Sequence, residues 1–309
     1  MNVNVRSTIA AVVNTRRMAA CCMLATAALL AACGASTVVS SLVPTRVVSF
    51  GDGLSDVGSP RYTVNDASKL WVQTLAANYG LGVSASPAGQ GWARGNARIS
   101  QKPDAAGSAA TLTVTEQVDA FLAANTIGKD DVVVLNGGIS DLLVQSQALT
   151  GGTITSAQML ANATQAGKDL ATQVRRLVNA GGTHVVVMGV YDLGKTPLAA
   201  AKGQTTVLSQ ASTNFNMRLL IDIVDLGANV LYLDAARQVN LFVNSPATYS
   251  FTNTTVPACT VAVQTPCTAS TIVTGATYAQ YVFADDLYLT PAAHAQLGSY
   301  AYTAVKARW

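Results

Sequence analysis

The feature that most constrains the fold is an alternation of short apolar runs with longer segments of helical pattern. The apolar runs are rich in β-branched residues and predict buried strands at residues 46–50, 131–136, 183–189 and 229–233. Helical spacing of apolar residues, with glycine stops or an initial proline, predicts helices at residues 70–79, 156–180, 206–226 and 291–306. Strands that alternate with helices of roughly ten residues or more indicate βαβ units. We therefore predict a three-layer α/β/α sandwich with a mostly parallel sheet.

The first 32 residues have the composition of an export signal. They contain Arg6, Arg16 and Arg17 but no acidic residue, and an apolar run at residues 18–30 follows these arginines. A basic flank, a short apolar stretch and small residues before a break are typical of a secretory signal peptide. The run is shorter than the roughly 20 apolar residues that a transmembrane helix needs.

The end of this segment, Leu-Ala-Ala-Cys at residues 30–33, resembles a bacterial lipobox. The resemblance implies that Cys33 becomes the first mature residue and carries a lipid that anchors the protein to a membrane. An ordinary signal peptide cleaved nearby is the alternative. Gly34 gives no obvious inner-membrane retention signal, so we expect the outer membrane of the bacterial cell envelope. The predicted organisation is a lipoprotein signal peptide at 1–32, a tether at 33–44 and one globular domain at 45–309.

The net charge of +3 comes entirely from the signal segment. The rest of the chain has sixteen basic and sixteen acidic residues, so its net charge is zero. Because no basic patch remains, we expect no nucleic-acid partner. Half of the residues are hydrophobic and 11% are charged, which excludes an intrinsically disordered chain.

Histidine and cysteine are scarce, which limits the chemistry available to the chain. The histidines are His184 and His294, so we expect no histidine-based metal site, and no cofactor is predicted. Cys259 and Cys267 have seven residues between them, and in an exported protein they favour a loop disulfide. A two-cysteine metal site is the alternative, but no histidine or cysteine nearby completes it.

Four stretches resemble the sequence blocks of the SGNH/GDSL hydrolases, a family of serine esterases and lipases. They occur in the family's order, as FGDGLSDVG at 50–58, GWARGNAR at 91–98, GGISD at 137–141 and FADDLYLTPAAH at 283–294. The resemblance runs from about residue 47 to residue 300 and implies the SGNH hydrolase fold, with a flavodoxin-like sheet, and ester hydrolysis. The loops at 51–58, 137–141 and 284–294 should converge, because ligands of such sheets bind at the carboxyl ends of the strands.

The chain departs from the family's pattern at nearly every catalytic position. Gly53 occupies the position of the serine nucleophile and Tyr288 that of the histidine base. Asp285, at the position of the aspartate that orients the base, is retained. Asn96 and Ser140 occupy the oxyanion-hole positions that the family fills with glycine and asparagine. Gly95 takes the place of Asn96 if the alignment slips by one residue.

These departures predict impaired catalysis. A tyrosine with a pKa near 10 is a poor general base at neutral pH, and in another hydrolase loss of the nucleophile or base costs on the order of 10⁶ in turnover. Ser55 and His294 are candidate substitutes, although Ser55 fits a helix cap better and His294 lies within the last predicted helix. We therefore expect a pseudoenzyme whose pocket binds a small ester, acyl or carbohydrate ligand. The alternatives are an active ester hydrolase with non-standard residues and a structural envelope lipoprotein.

Overall fold

A parallel four-stranded sheet forms the centre of the computed structural model, which describes residues 41–263 and 265–309. The strands are β1 (Arg46–Phe50), β2 (Asp131–Leu135), β3 (Val185–Met188) and β4 (Val230–Leu233), and they lie in that order. Every strand pairing is parallel. All residues of β2 and β3 are buried, as expected for strands covered on both faces.

A short segment around Gly91 extends the sheet beyond β1. Ser49 in β1 forms a parallel bridge with Gly91. The Ser49 N–H donates to the Gln90 carbonyl oxygen at 2.9 Å, and the Trp92 N–H donates to the Ser49 carbonyl oxygen at 2.7 Å. The second segment of the chain therefore lies outside the first strand, which is the flavodoxin-like order. The predicted α/β sandwich with a mostly parallel sheet is confirmed.

Helices cover both faces of this sheet. They are α1 (Trp71–Asn78), α2 (Val114–Ala124), α3 (Ile139–Thr150), α4 (Ser156–Asn179), α5 (Pro197–Ala201), α6 (Thr205–Ile223), α7 (Ala235–Asn244) and α8 (Pro291–Arg308). The most extensive helix contacts join α4 to α6 and α1 to α8. The predicted helices at 70–79, 156–180, 206–226 and 291–306 correspond to α1, α4, α6 and α8, and the last turn of the third is a 3₁₀ turn at Val224–Leu226.

Two glycines allow the main helix pairs to approach closely. In α4, a Cβ added to Gly167 would lie 2.3 Å from the carbonyl oxygen of Phe215 in α6. In α8, a Cβ added to Gly298 would lie 2.4 Å from the Cβ of Thr74 in α1. These distances are far inside van der Waals contact, so any larger residue would push the helices apart.

The Thr-rich segment before α8 is held by the predicted disulfide, which is present between Cys259 and Cys267. The two cysteines, Val64 and Ala284 form a small hydrophobic cluster of their own. Backbone hydrogen bonds join Cys259 N–H to the Ala284 carbonyl oxygen and Asn65 N–H to the Cys267 carbonyl oxygen, both at 2.9 Å. The disulfide loop therefore supports the segment that contains Asp285 and Tyr288.

The predicted signal peptide, Cys33 and the first part of the predicted tether lie outside the described residues. The tether's last residues, 41–44, are described, and the N–H groups of Ser41 and Leu42 donate to the Trp309 carbonyl oxygen at 2.9 and 3.3 Å. This part of the chain is therefore attached to the end of α8. Within residues 41–263 and 265–309, no helix is long and apolar enough to span a bilayer.

Candidate functional site

The predicted loops lie at the carboxyl ends of the strands, where Asp52 joins the loop at 51–58 to the loop at 137–141. Its buried carboxylate accepts hydrogen bonds from Asn136 Nδ2 at 2.7 Å and from the Ile139 N–H at 3.2 Å. The second bond caps α3, whose own N-cap residue is Gly138, without a side chain, at φ 111°. Burial raises the pKa of Asp52 to about 6, although these hydrogen bonds oppose the shift. Asp52 is therefore a structural connection between two loops.

Tyr288 lies directly against Gly53. A Cβ added to Gly53 would lie 3.0 Å from each of Cε1, Cζ and the hydroxyl oxygen of Tyr288. The tyrosine side chain is fully buried, and its hydroxyl has no hydrogen-bond partner among the described residues. The outer edge of this ring thus crowds the position that the Cβ of a nucleophile would take.

Burial also sets the protonation state of Tyr288. It raises the pKa of the hydroxyl well above its ordinary value near 10, and the nearby carboxyl groups of Asp52 and Asp285 shift it in the same direction. The hydroxyl therefore stays protonated at neutral pH and has no basic lone pair comparable to that of a neutral imidazole.

Asp285 holds the backbone of its own turn. Its carboxylate accepts hydrogen bonds from the Leu287 N–H at 2.8 Å and the Tyr288 N–H at 2.5 Å. The turn is closed by a bond from the Ala284 N–H to the Tyr288 carbonyl oxygen at 2.8 Å. Burial raises the pKa of Asp285 to about 7, against the effect of the two backbone bonds. The carboxylate thus contacts the backbone of the residue at the base position.

The two predicted oxyanion-hole positions are also buried. Asn96 has a left-handed backbone (φ 61°), and its Nδ2 donates to the Tyr62 hydroxyl at 2.8 Å. The rings of Tyr62 and Tyr288 are 5.1 Å apart, so Tyr62 connects Asn96 to the tyrosine at the base position. Ser140 lies in the first turn of α3, and its Oγ is without a hydrogen-bond partner in the described part of the chain.

Gly95, the alternative oxyanion position, is engaged elsewhere. Its N–H donates to Asp56 Oδ2 at 2.6 Å, and a Cβ at Gly95 would lie 2.0 Å from the Tyr62 ring. Burial raises the pKa of Asp56, although its bonds to backbone N–H groups oppose the shift. Asp56 therefore joins the loop at 51–58 to the second sequence block, at 91–98, as Asp52 joins the same loop to the third block, at 137–141.

The predicted site positions lie at the carboxyl-end edge of the sheet, and their side chains are buried instead of exposed to solvent. Four of the five positions have a side chain, and none of these is more than 7% exposed: Asn96, Ser140, Asp285 and Tyr288. A cavity of about 280 Å³ lies beside the second and third blocks, and its polar lining includes Arg98 and Asp141. No group of three or more potential metal ligands occurs within residues 41–263 and 265–309.

Ser55 and His294, the candidate substitutes, both bind Trp71 at the start of α1. The Ser55 Oγ accepts a hydrogen bond from the indole Nε1 at 2.9 Å, and no helix begins directly after Ser55 for it to cap. The His294 Nδ1 accepts the Trp71 N–H at 3.4 Å. Both side chains are fully buried, and burial lowers the pKa of His294 to about 3. Trp71 and Tyr62 could not be predicted as neighbours of the site, because neither belongs to a recognisable sequence block.

The chain is similar to proteins of one known family. The family model for GDSL-like lipases and acylhydrolases matches residues 47–301. An uncharacterized protein in the trpE–trpG intergenic region of Pseudomonas putida is 26% identical over 311 aligned positions, which cover 90% of this chain. The chain spans about half (51%) of the length of that relative.

Several solved structures are similar, each with a TM-score of 0.45. They include a lipolytic protein of the G-D-S-L family from Veillonella parvula (9% identity, covering 84% of this chain and 96% of that one). A carbohydrate acetylesterase from Sinorhizobium meliloti is 14% identical over the same shares of the two chains. An extracellular lipase from Streptomyces rimosus is 17% identical, covering 84% of this chain and 99% of that one. Because the family model matches most of the chain, this protein belongs to the GDSL lipase/acylhydrolase family.

Proposed function

We propose that this protein is an exported lipoprotein of the GDSL family that has lost hydrolase activity. The observation that carries the proposal is the contact between Gly53 and Tyr288. The ring at the base position crowds the place of the missing nucleophile side chain, with three of its atoms 3.0 Å from where the Cβ would be. The former catalytic centre is therefore part of the hydrophobic core.

The chemistry that remains at this centre does not support ester hydrolysis. Gly53 supplies no oxygen or sulfur to attack a carbonyl carbon. Tyr288 cannot accept a proton, because its hydroxyl is buried and protonated. General-base catalysis needs an accessible group whose pKa lies near the working pH. Burial raises the pKa of Asp285 to about 7, but the carboxyl group is buried and its Oδ1 accepts hydrogen bonds from two backbone N–H groups.

The geometry also disfavours catalysis by Ser55 and His294. A pKa of about 3 makes the imidazole of His294 a weak base, and its Nδ1 already accepts a hydrogen bond from Trp71. Ser55 is fully buried, so an ester could reach its Oγ only after the surrounding core had opened. The hydrogen bonds that Ser55 and His294 accept from Trp71 give both side chains a structural role.

Ligand binding at the former centre is the competing role. An acyl chain or a sugar would first have to displace the buried Tyr288 ring, and removal of a buried aromatic side chain commonly costs about 3–5 kcal/mol. A ligand contact would have to exceed this cost before any net affinity appeared. We therefore favour a packed centre over a binding pocket.

Activity measurements on the full-length lipoprotein in detergent test the proposal. We expect no hydrolysis of p-nitrophenyl acetate above the buffer rate and no labelling by a fluorophosphonate, which reacts with activated serines. The matched variant Gly53→Ser/Tyr288→His supplies a nucleophile and a base at the family positions. Labelling of this variant alone would locate the loss at these two residues.

Turnover by the unmodified protein at ordinary enzyme rates, about 1–10³ s⁻¹, would refute the proposal. A Ser55→Ala variant then decides the mechanism, because loss of that turnover would identify Ser55 as the nucleophile. A thermal-shift screen with short-chain esters, fatty acids and acetylated sugars tests the competing role. Stabilisation that disappears in Tyr288→Trp, where a larger ring fills the centre, would favour ligand binding.

The lipid anchor is supported by the sequence at residues 30–33. Metabolic labelling with a palmitate analogue should modify the unmodified chain and not Cys33→Ser, which should also leave the membrane fraction or retain its signal segment. Equal labelling of both chains would contradict the anchor while leaving the loss of hydrolase activity unaffected.

A further inference from the structure

An apolar stripe on α6 faces outward and takes no part in the core. It consists of Met217, Leu220, Ile221 and Val224, which are 56%, 41%, 60% and 78% exposed. Their spacing of three or four residues places them on one face of the helix and of the turn that continues it. The opposite face of α6 is buried. We refer to these four residues as the outer stripe.

The outer stripe ends close to the point where the described chain begins. The Arg308 guanidinium donates to the carbonyl oxygen of Gly227, three residues beyond the stripe. The next residue, Trp309, accepts the N–H groups of Ser41 and Leu42. Val43 follows and is 79% exposed, so a further apolar side chain reaches solvent near this junction.

This junction lies at the amino ends of the strands. The helices α6 and α8 run back across a parallel sheet, so their carboxyl ends lie at the edge where the strands begin. Residues 41–43 lead into β1 at the same edge. The GDSL blocks lie at the opposite edge, where the strands end.

The charges beside the outer stripe suit an interface with lipid headgroups. Asp222 and Asp225 are both neutralised, by Arg218 at 2.7 Å and by Arg175 at 2.5 Å. The last turn of α8 carries Lys306 and Arg308, and Trp309 follows it. Tryptophan and basic residues next to exposed apolar side chains are typical of protein surfaces at the membrane–water boundary.

The length of the predicted tether limits where the bilayer can be. Eight residues, 33–40, separate a lipid on Cys33 from Ser41, and eight fully extended residues span at most about 29 Å. The edge that contains Ser41 is therefore held near the membrane, while the opposite edge points away from it.

We propose that the outer stripe and Val43 rest on the surface of a phospholipid bilayer, so that the GDSL blocks face away from the membrane. This inference rests on the proposed lipid anchor at Cys33. In this arrangement the bilayer surface itself covers the outer stripe. The apolar side chains enter the interfacial region, and the basic residues at the end of α8 contact headgroup phosphates.

The test uses the full-length lipoprotein reconstituted into vesicles of phosphatidylethanolamine and phosphatidylglycerol. A fluorescent NBD label is placed on Ile221→Cys, or on Ala106→Cys as a control exposed near the second block at the far edge. The lipid on Cys33 and the Cys259–Cys267 disulfide leave the new thiol as the reactive one in the mature chain. Nitroxide groups on the lipid acyl chains then quench any label that enters the bilayer.

We expect the label at Ile221→Cys to shift to shorter wavelength and to lose most of its emission to lipid nitroxides, while the label at Ala106→Cys does neither. Adding Val224→Asp should restore most of the emission at Ile221→Cys. The matched control is Val256→Asp, at an exposed valine three residues before Cys259. It should leave the quenching of the label at Ile221→Cys unchanged.

Two results would overturn the proposal while the anchor stands, which flotation of the protein with the vesicles establishes separately. Equal exposure of both labels would show that the stripe faces water. A spectral shift at Ile221→Cys without nitroxide quenching would show that protein, such as a second copy of this chain, covers the stripe. Loss of flotation would refute the anchor and this orientation together.

Discussion

The contact between Gly53 and Tyr288 makes a quantitative prediction about stability. The substitution Gly53→Ala adds one methyl group that meets three ring atoms at 3.0 Å, whereas favourable carbon–carbon contacts lie at about 3.5–4.0 Å. Gly53 does not have a positive φ, so its backbone accepts alanine and the strain comes from crowding. Overpacking of this kind costs about 1–3 kcal/mol.

The substitution Tyr288→Leu supplies the second side of a double-mutant cycle. Leucine keeps an apolar side chain in the core but lacks the outer ring atoms that crowd Gly53. In this background Gly53→Ala should be neutral or should stabilise the protein by about 0.4–1 kcal/mol, because alanine reduces the freedom of the unfolded chain. The difference between the two backgrounds is a coupling energy of about 1–4 kcal/mol, which is of the size found for other residues in direct contact.

Guanidinium denaturation of the four proteins measures this coupling through their midpoints, provided that the slopes agree. Gly82→Ala is the matched control, since a Cβ there meets nothing within 4 Å and should not destabilise the fold. If Gly53→Ala costs the same in both backgrounds, or costs nothing in the unmodified protein, then Tyr288 does not fill the nucleophile space and the reasoning fails.

Further variants probe the remaining buried polar groups. Tyr288→Phe removes a hydroxyl without a described partner, so thermal denaturation should show unchanged or slightly higher stability, by up to about 1 kcal/mol; a clear loss would reveal a hidden hydrogen bond. The pKa of His294 is lowered from 6.5 to about 3, so the unfolded chain takes up the proton first and stability should fall as the pH drops from 6.5 towards 3. His294→Asn, which keeps an acceptor for the Trp71 N–H, should remove this part of the pH dependence, and identical melting profiles against pH would contradict it. Ser55→Ala leaves the buried indole N–H of Trp71 unpaired and should cost about 1–3 kcal/mol; the same melting temperature as the unmodified protein would show that the bond contributes nothing.

The strands and the long helices could be predicted because their physical causes are local. A buried strand in a parallel sheet must be apolar on both faces, and residues 131–135 are apolar after the initial aspartate. The helix Val114–Ala124 was not predicted, although Thr113 and Glu116 form a capping box that marks its start. The start of this helix could have been predicted from the sequence alone, because Thr113 and Glu116 have the three-residue spacing that a capping box requires.

The packing of the site could not be predicted, because it depends on residues far apart in the chain. The alignment of motifs identified Gly53 and Tyr288 as the altered positions, but it held no information on whether the tyrosine ring turns into the centre or away from it. The role of Ser55 shows the same limit. A serine after a tight turn suggests a local cap, yet its partner is the indole of Trp71, sixteen residues further on.

The carboxylates that hold the site loops together form no hydrogen bond with the side chain of Tyr288, and Gly53 has no side chain. Asp52 binds Asn136 and the start of α3, and Asp56 binds the Gly95 N–H, so two carboxylates fix the first loop against the other blocks. Asp285 closes its own turn through backbone N–H groups whatever side chain follows three residues later. The loop framework therefore remains intact when the nucleophile and base are absent, since neither contributes to it. This separation explains how a chain can match the GDSL family over most of its length while its centre is filled by a tyrosine ring.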